Sequence, residues 1–188
     1  MKNLKLIFLA VIFLYSFAKT EAQTKKIDVS KSIITWTGKK ITGEHEGTIK
    51  FKEGELVFKD NKITGGNFVA DMTTLDNTDQ TGSSKIKLEG HLKSDDFFGI
   101  YNFKTSILTF QNITYKGNNI YTVIANLTIK GISHPVIFDL IIKEKTATAN
   151  LSIDRTKYDI KYGSGSYFDD LGDKTIYDLF ELKVNLVF

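Results

Sequence analysis

Residues 121–142 read YTVIANLTIKGISHPVIFDLII, and apolar side chains occupy every second position in both halves of this stretch, 121–129 and 136–142. A period of two places alternate side chains on opposite faces of a β-strand. Between the halves, Lys130-Gly131 is a two-residue turn signal. The stretch therefore predicts an antiparallel β-hairpin with one apolar face.

The same alternation recurs on both sides of this hairpin. Asp60-Asn61 and residues 116–119 are turn signals between neighbouring runs, and Glu53-Gly54 reads as a further tight turn. About eight strands at this spacing are typical of an all-β sandwich or barrel. Besides the hairpin, the predicted strands are 33–39, 48–52, 55–59, 63–72 with a bulge at Gly65-Gly66, 103–111, 147–153 and 180–188.

Residues 84–98 break the pattern, because their apolar positions recur at spacings of two to four. This spacing favours one or two short helical turns over a strand. Ser94, followed by Asp95-Asp96, is a candidate cap for the second turn. Such an insert can plug or cover one end of a barrel.

Some strands carry apolar residues on the second face as well. Ile120 and Ile124 oppose the apolar face of the first quoted strand, and Ile137 and Ile141 oppose that of the second. A second apolar face must be covered by a helix, a partner chain or a ligand. An eight-stranded barrel can either fill its interior or enclose one small ligand, so a packed core with a homodimer contact and a lined cavity both remain open.

Residues 1–22 have the layout of a secretory leader. Lys2 and Lys5 are followed by an almost wholly apolar run to Phe17, and small residues precede a cleavage site after Ala22. The run is shorter than the roughly 20 residues of a spanning helix. We therefore expect a domain at residues 23–188 that is periplasmic or secreted and has no stable membrane insertion after cleavage. Without cysteine, the chain has no site for a lipid-modified cysteine.

Composition excludes some classes of partner. The leader holds three lysines and one glutamate, which leaves 22 basic and 21 acidic residues in the predicted domain. A nearly neutral surface offers no general attraction to nucleic acid. Fourteen Phe and eight Tyr against one Pro favour strands around an aromatic interior.

Three motifs carry a resemblance to a known family. Residues 88–98 (LEGHLKSDDFF), 127–136 (LTIKGISHPV) and 153–158 (IDRTKY) are similar, in this order, to signatures of the YceI-like family. Members are exported, lipocalin-like proteins linked to polyisoprenoid binding. The resemblance extends from about Asp28 to Phe188. It departs at Leu88-Glu89-Gly90, where the family usually has Arg-Asp before His-Leu, and at Asn102, where the family usually has Pro.

The resemblance implies an extended eight-stranded antiparallel lipocalin-like barrel with a short helical insert and a long hydrophobic channel. Its implied ligand is an apolar lipid such as a polyisoprenoid. His91 falls inside a matched motif and can either contact a ligand head group or fix the insert to the barrel. The aromatic residues predicted to line the channel, for which plain core packing is the alternative, are Trp36, Phe51, Phe68, Phe97, Phe98 and Phe110.

Neither a catalytic nor a metal site is predicted, and no cofactor. His45, His91 and His134 lie far apart, without the spacing of a metal site. His45 is expected in a solvated loop. Arg155, in a matched motif, is expected to pair with a carboxylate of the acidic cluster at residues 169–173.

Three functions follow from these patterns. The first is an exported binding protein that holds an apolar lipid for transport, storage or stress response. The second is a ligand-free barrel that acts through a protein partner or as a homodimer. The third, an enzyme built around His91, lacks an activated nucleophile with its base, so we expect no enzymatic activity.

Overall fold

The computed structural model describes residues 21–188, so most of the predicted leader lies outside the described residues. Within this range the chain forms nine strands and one α-helix. No helix among residues 21–188 has the length and apolar character that crossing a membrane requires. The elements are β1 (Gln23–Lys26), β2 (Ile33–Lys40), β3 (Gly43–Lys59), β4 (Lys62–Asn77), α1 (Gly82–Lys93), β5 (Thr105–Gly117), β6 (Ile120–Ile129), β7 (Ile132–Lys143), β8 (Thr146–Asp154) and β9 (Ile176–Val187).

Eight antiparallel strands close into a barrel, which confirms the predicted fold class. Around the ring they follow the order β3-β2-β9-β8-β7-β6-β5-β4, and β4 pairs back with β3. The long strand β3 pairs with two strands along one of its edges: its first half pairs with β2 and its second half with β1. β1 therefore extends the barrel wall lengthwise without widening the ring.

Predicted hairpin turns are confirmed at three places. Asp60 and Asn61 have φ values of 51° and 59°, and Asn118 and Asn119 have 50° and 58°. Lys130 and Gly131 also have positive φ values, of 50° and 74°. Two successive residues with positive φ match the right-handed twist of the flanking strands, so these turns set the register of the hairpins that they join.

The predicted turn at Glu53-Gly54 is wrong. β3 continues through this dipeptide, and only its register with β4 shifts, between Phe51 and Glu53. A Cβ on Gly54 would lie 2.5 Å from Cδ1 of Phe68. The glycine therefore allows an aromatic ring to lie against the strand, and it does not reverse the chain.

The insert between β4 and β5 contains the helix α1 and a short turn after it. Only Leu92 of α1 is buried. Ser94 ends this helix, because its backbone N–H and its hydroxyl both donate to the carbonyl oxygen of His91. The carbonyl oxygen of Ser94 then accepts the backbone N–H groups of Phe97 and Gly99, so a second turn does follow, but the Ser94 side chain does not cap it as expected.

The barrel wall is split between β7 and β8. These strands pair only from Leu140 to Lys143 on β7, so the first half of β7 has no β8 neighbour. Pro135 lies in this half, where a missing backbone N–H removes no ladder bond on the free edge. A 3₁₀ turn at Arg155–Tyr158 packs beside the split.

Candidate ligand cavity

The barrel encloses a cavity of about 310 Å³. Its lining comes from every strand of the ring and from the insert. Several inward-facing side chains, among them Phe110, Phe180, Leu182 and Val184, are only partly buried although they point away from the outer surface. The interior is therefore hollow, and its walls are overwhelmingly apolar.

All seven predicted site residues border this cavity. The ring of Phe68 lies 6.2 Å from that of Phe51 and 5.6 Å from that of Phe110, measured between centroids. At the other end, Phe98 packs 5.3 Å from Phe97. Aromatic pairs at these separations contribute beyond their buried area. The structure thus brings the predicted aromatics together around one space, while their role as ligand contacts stays a prediction.

Three of the aromatic rings lie directly against glycines of the barrel. A Cβ on Gly47 would come within 2.5 Å of the Trp36 indole, and one on Gly66 within 2.8 Å of the Phe110 ring. Gly54 and Phe68 form the third such pair. Glycine lets a ring approach the sheet closely, so these glycines determine how far each ring projects into the cavity.

His91 belongs to α1, and its ring is held by two aromatic neighbours. Its ring lies 4.3 Å from that of Tyr162 and 5.5 Å from that of Phe97. Its Nε2 is buried and has no hydrogen-bond partner among the described residues. Nε1 of Trp36 is likewise buried without a partner in this part of the chain. An unpaired buried polar atom costs about 1–3 kcal/mol. These two side chains therefore place unmet hydrogen-bonding capacity beside the cavity.

Arg155 fastens the wall beside the β7–β8 split. It is 1% exposed, and its guanidinium donates to the carbonyl oxygens of Ile160, Ile176 and Tyr177 at 2.8–3.1 Å. Its carboxylate neighbour is Asp178, at 3.6 Å. Burial lowers the pKa of the guanidinium, and Asp178 and Asp154 oppose that effect. The expected pairing of Arg155 with the 169–173 cluster is wrong because the side chain points inward.

Tyr158 fills the same split from within the barrel wall. It is almost completely buried, and its ring stands perpendicular to that of His134 at 5.4 Å. Burial raises the pKa of its hydroxyl to about 12, and the charge of Asp154 adds to this rise. Tyr158 therefore stays neutral over the whole physiological range.

His45 lies in β3 and faces the barrel interior, so the prediction of a solvated loop is wrong. Its Nδ1 is 2.8 Å from a carboxylate oxygen of Asp79, in the segment between β4 and α1. Burial alone would raise the pKa of Asp79, but hydrogen bonds from His45, Glu46 and Asn77 outweigh it and lower that pKa. The carboxylate thus stays charged and holds the imidazole in place.

Comparison with known families decides the classification. The family description "YceI-like domain" matches residues 26–188. The chain belongs to the YceI-like family. No curated protein matches the sequence.

Solved structures share the YceI-like fold at low sequence identity. Burkholderia cenocepacia BcnA is 21% identical with a TM-score of 0.69, over 86% of this chain and 99% of that chain. A polyisoprenoid binding domain from Saccharophagus degradans, implicated in plant cell wall breakdown, is 14% identical with a TM-score of 0.57, over 86% and 95%. A Campylobacter jejuni YceI protein is 17% identical with a TM-score of 0.55, over 72% and 80%.

In this YceI-like barrel, Glu89, one of the residues that departs from the family pattern, joins the insert to the wall. Its carboxylate accepts the backbone N–H of Asn77 at 2.9 Å and pairs with Lys93 at 2.9 Å and Lys85 at 3.7 Å. The hydrogen bond from Asn77, with the two lysines, lowers the pKa of Glu89 against the effect of burial. The departure therefore supplies an anchor of its own for α1.

Sequence reasoning missed several lining residues of the YceI-like cavity. The inward face of β9 contributes Phe180, Leu182 and Val184, and His45 contributes a polar group. The period-two pattern of the last strand marked the first three as one face, and could have found them. Nothing local marks His45, because Asp79 is 34 residues away in sequence.

Proposed function

We propose that this YceI-like protein is an exported carrier that holds an apolar ligand, a polyisoprenoid or another long-chain lipid, inside its barrel. The observation that carries the proposal is the apolar hollow in a closed barrel. A hydrocarbon chain offers only apolar surface, and each buried CH₂ gains about 0.8 kcal/mol. A cavity of about 310 Å³ is at the lower end of the ordinary range for ligand sites.

Two further points support this ligand class. The fold is shared with a protein described as a polyisoprenoid binding domain. The wall also presents a run of aromatic rings from Phe51 through Phe68 and Phe110 to Phe138. Flat, rigid rings contact a methyl-branched chain at little entropic cost, because few torsions must be ordered.

The proposed role is binding without chemical conversion of the ligand. Ser106 borders the cavity, and its hydroxyl donates to the carbonyl oxygen of Thr128 at 2.7 Å. A backbone acceptor holds this hydroxyl without activating it, whereas a nucleophile needs an adjacent base. Transport, storage and stress protection are each compatible with a carrier of this kind.

Native mass spectrometry of protein purified without detergent tests the carrier. We expect a mass above that of the polypeptide, and its loss after organic extraction should return the bare chain. Reloading the extracted protein with geranylgeraniol should restore a one-to-one complex. A bare mass at every stage would contradict the proposal.

Export requires removal of the leader, and we propose a periplasmic or secreted location. Expression of the full chain in a bacterium with a general secretory pathway should yield a mature protein that begins at Gln23. Intact-mass measurement of the periplasmic and cytoplasmic fractions checks this. Full-length chain confined to the cytoplasm would contradict export.

A protein partner or second copy remains the alternative, because one outer face is apolar. Ile137 is 69% exposed, and Ile124, its neighbour across β6 and β7, is also exposed. A homodimer through this face predicts that Ile137→Lys converts a dimer to a monomer in sedimentation equilibrium. A monomeric parent protein would exclude the homodimer.

A further inference from the structure

The hairpin between β2 and β3 opens one end of the cavity. In the register of these strands, Gly38 lies opposite His45 and Lys40 opposite Gly43, on the face that also carries Trp36. A Cβ on either glycine would meet no atom within 4 Å. Gly38 and Gly43 carry no side chain on this face, which leaves open space beside His45 and beside the exposed Lys40.

One lysine at this opening lacks a counter-charge. Lys39 and Lys40 both border the cavity. Lys39 pairs with Glu181 at 2.9 Å and with Glu44 at 4.0 Å. No carboxylate of residues 21–188 lies within 4.0 Å of Nζ of Lys40. Of the two lysines that border the cavity, Lys40 is thus the one without a counter-charge.

The neighbouring His45 is fixed with one nitrogen uncommitted. Its Nδ1 faces the charged carboxylate of Asp79, which favours the tautomer that carries the proton on Nδ1. Asp79 also accepts the backbone N–H of Glu46 at 3.1 Å and a side-chain N–H of Asn77. These donors offset the charge of Asp79. Nε2 of His45 can then accept a hydrogen bond from an acidic O–H, or donate one when the ring is protonated.

We propose that the open space at Gly38, Lys40, Gly43 and His45 binds the acidic head group of the lipid, a carboxylate or a phosphate monoester. The inference rests on the proposed function, because it assigns the polar end of the ligand carried in the barrel. An ionised head cannot enter the apolar interior without a large desolvation penalty. The head therefore stays at the hairpin while the tail extends past Phe51 and Phe68.

Four probes in two matched pairs test this site. Delipidated protein is titrated with palmitate and hexadecanol, and with farnesyl phosphate and farnesol, by displacement of a fluorescent lipid. Wild type should bind each acid up to about fivefold more tightly than its alcohol, the upper ratio expected of one partly solvated charge pair. If only one acid binds more tightly than its alcohol, the result supports the head-group site and shows whether it takes a carboxylate or a phosphate.

Substitutions locate the preference. Lys40→Gln should bring the affinity for the acid close to that for the alcohol, because it should weaken acid binding more than alcohol binding. The matched control is Lys183→Gln on the outer face of β9, which should keep the full preference.

The outcomes separate this site from the carrier itself. Equal binding of acids and alcohols by wild type overturns the head-group site and leaves the carrier intact. An equal loss in Lys40→Gln and Lys183→Gln also overturns it, since general surface charge then explains the preference. Failure of all four probes to bind overturns the proposed function, and the head-group site with it.

Discussion

The middle of the barrel and its covered, polar end are stabilised by different kinds of contact. Around Phe51, Phe68 and Phe110 the wall consists of aromatic rings packed on each other and on glycines. Around the insert, polar groups join distant segments, as in the contacts of Arg155 with β9 and of Glu89 with β4. The comparison teaches that shape complementarity forms the hollow, whereas buried hydrogen bonds hold its covered end in place.

We expect the largest loss of stability at Arg155, because one substitution there removes several contacts of the polar end. Arg155→Ala would leave three carbonyl oxygens, one buried and two partly buried, without the guanidinium donor, and Asp178 without its cation. Removal of one partner from a buried charged network costs about 3–5 kcal/mol. Urea denaturation followed by circular dichroism should show this loss.

The control for Arg155 is Lys157→Ala, in the same 3₁₀ turn but exposed. It should change the free energy of unfolding by less than about 0.5 kcal/mol. Equal stabilities of the two variants would show that Arg155 does not fasten the β7–β8 split.

The aromatic wall can be broken next at Gly47, which pairs with Asn77 of β4 and so lies where this wall meets the polar end. A Cβ there would lie 1.9 Å from the carbonyl oxygen of Asp76 and 2.5 Å from the Trp36 ring. The backbone of β4 cannot move away easily, so Gly47→Ala should destabilise the protein by about 1–3 kcal/mol. Its Trp36 fluorescence should shift, since Trp36 is the single tryptophan.

Gly38→Ala is the matched substitution across the same strand pair, where the new methyl group meets no atom within 4 Å. It should retain the wild-type melting temperature and emission maximum. A similar loss of stability in both variants would mean that the effect at Gly47 comes from strand propensity and not from the close contact between Gly47 and the Trp36 ring.

Lowering the pH sharpens the comparison, since the aromatic contacts contain no carboxylate whereas the polar end depends on the ionised carboxylate of Glu89. The folded-state pKa of Glu89 lies below its ordinary value of 4.5. A depressed pKa stabilises the fold at pH values above 4.5, and this contribution is lost as the pH falls through the folded-state value. Wild type should therefore exceed Glu89→Gln in stability at pH 7, and the difference should shrink below about pH 4.5.

Denaturant midpoints of wild type and Glu89→Gln across pH 3–7 provide the measurement. Glu53→Gln, at an exposed position of β3, serves as the control and should change the stability at pH 7 by less than about 0.5 kcal/mol. A difference that persists unchanged to pH 3 would contradict the role assigned to the ionised carboxylate of Glu89.

The smallest effect is expected within the insert itself. Gly90 lies inside α1, and a Cβ there meets no atom within 4 Å. Gly90→Ala should stabilise the helix by up to about 1 kcal/mol, because glycine loses more backbone entropy than alanine. Hydrogen exchange of the α1 amides should slow. Unchanged exchange would indicate that the insert opens together with the whole barrel.

The two regions also differed in how far the sequence predicted them. Alternation at residues 121–142 predicted the hairpin, and the resemblance to the YceI-like family implied Phe51, Phe68 and Phe110 as lining residues. Contacts between distant residues lay beyond this reasoning. His45 meets Asp79, and Arg155 meets carbonyls more than 20 residues away on β9, and no local pattern encodes such pairs.

Glycine misled the prediction for a related reason. Gly54 was interpreted as a turn residue because glycine often permits positive φ. Its actual role is to admit the ring of Phe68. The two uses look identical in sequence, and only the packing of β4 on β3 distinguishes them.

The central claim is that the hollow interior holds the hydrocarbon tail, and occlusion of the hollow tests it most directly. Ala149 on β8 faces the cavity, whereas Thr148 beside it faces outward. A phenylalanine at 149 fills space that several CH₂ groups of a ligand would occupy, and the loss of two CH₂ contacts already lowers affinity by more than about tenfold. Geranylgeraniol titrated into delipidated protein should bind wild type and Thr148→Phe alike and bind Ala149→Phe at least about tenfold more weakly. Equal affinity in all three folded proteins would contradict binding inside the barrel.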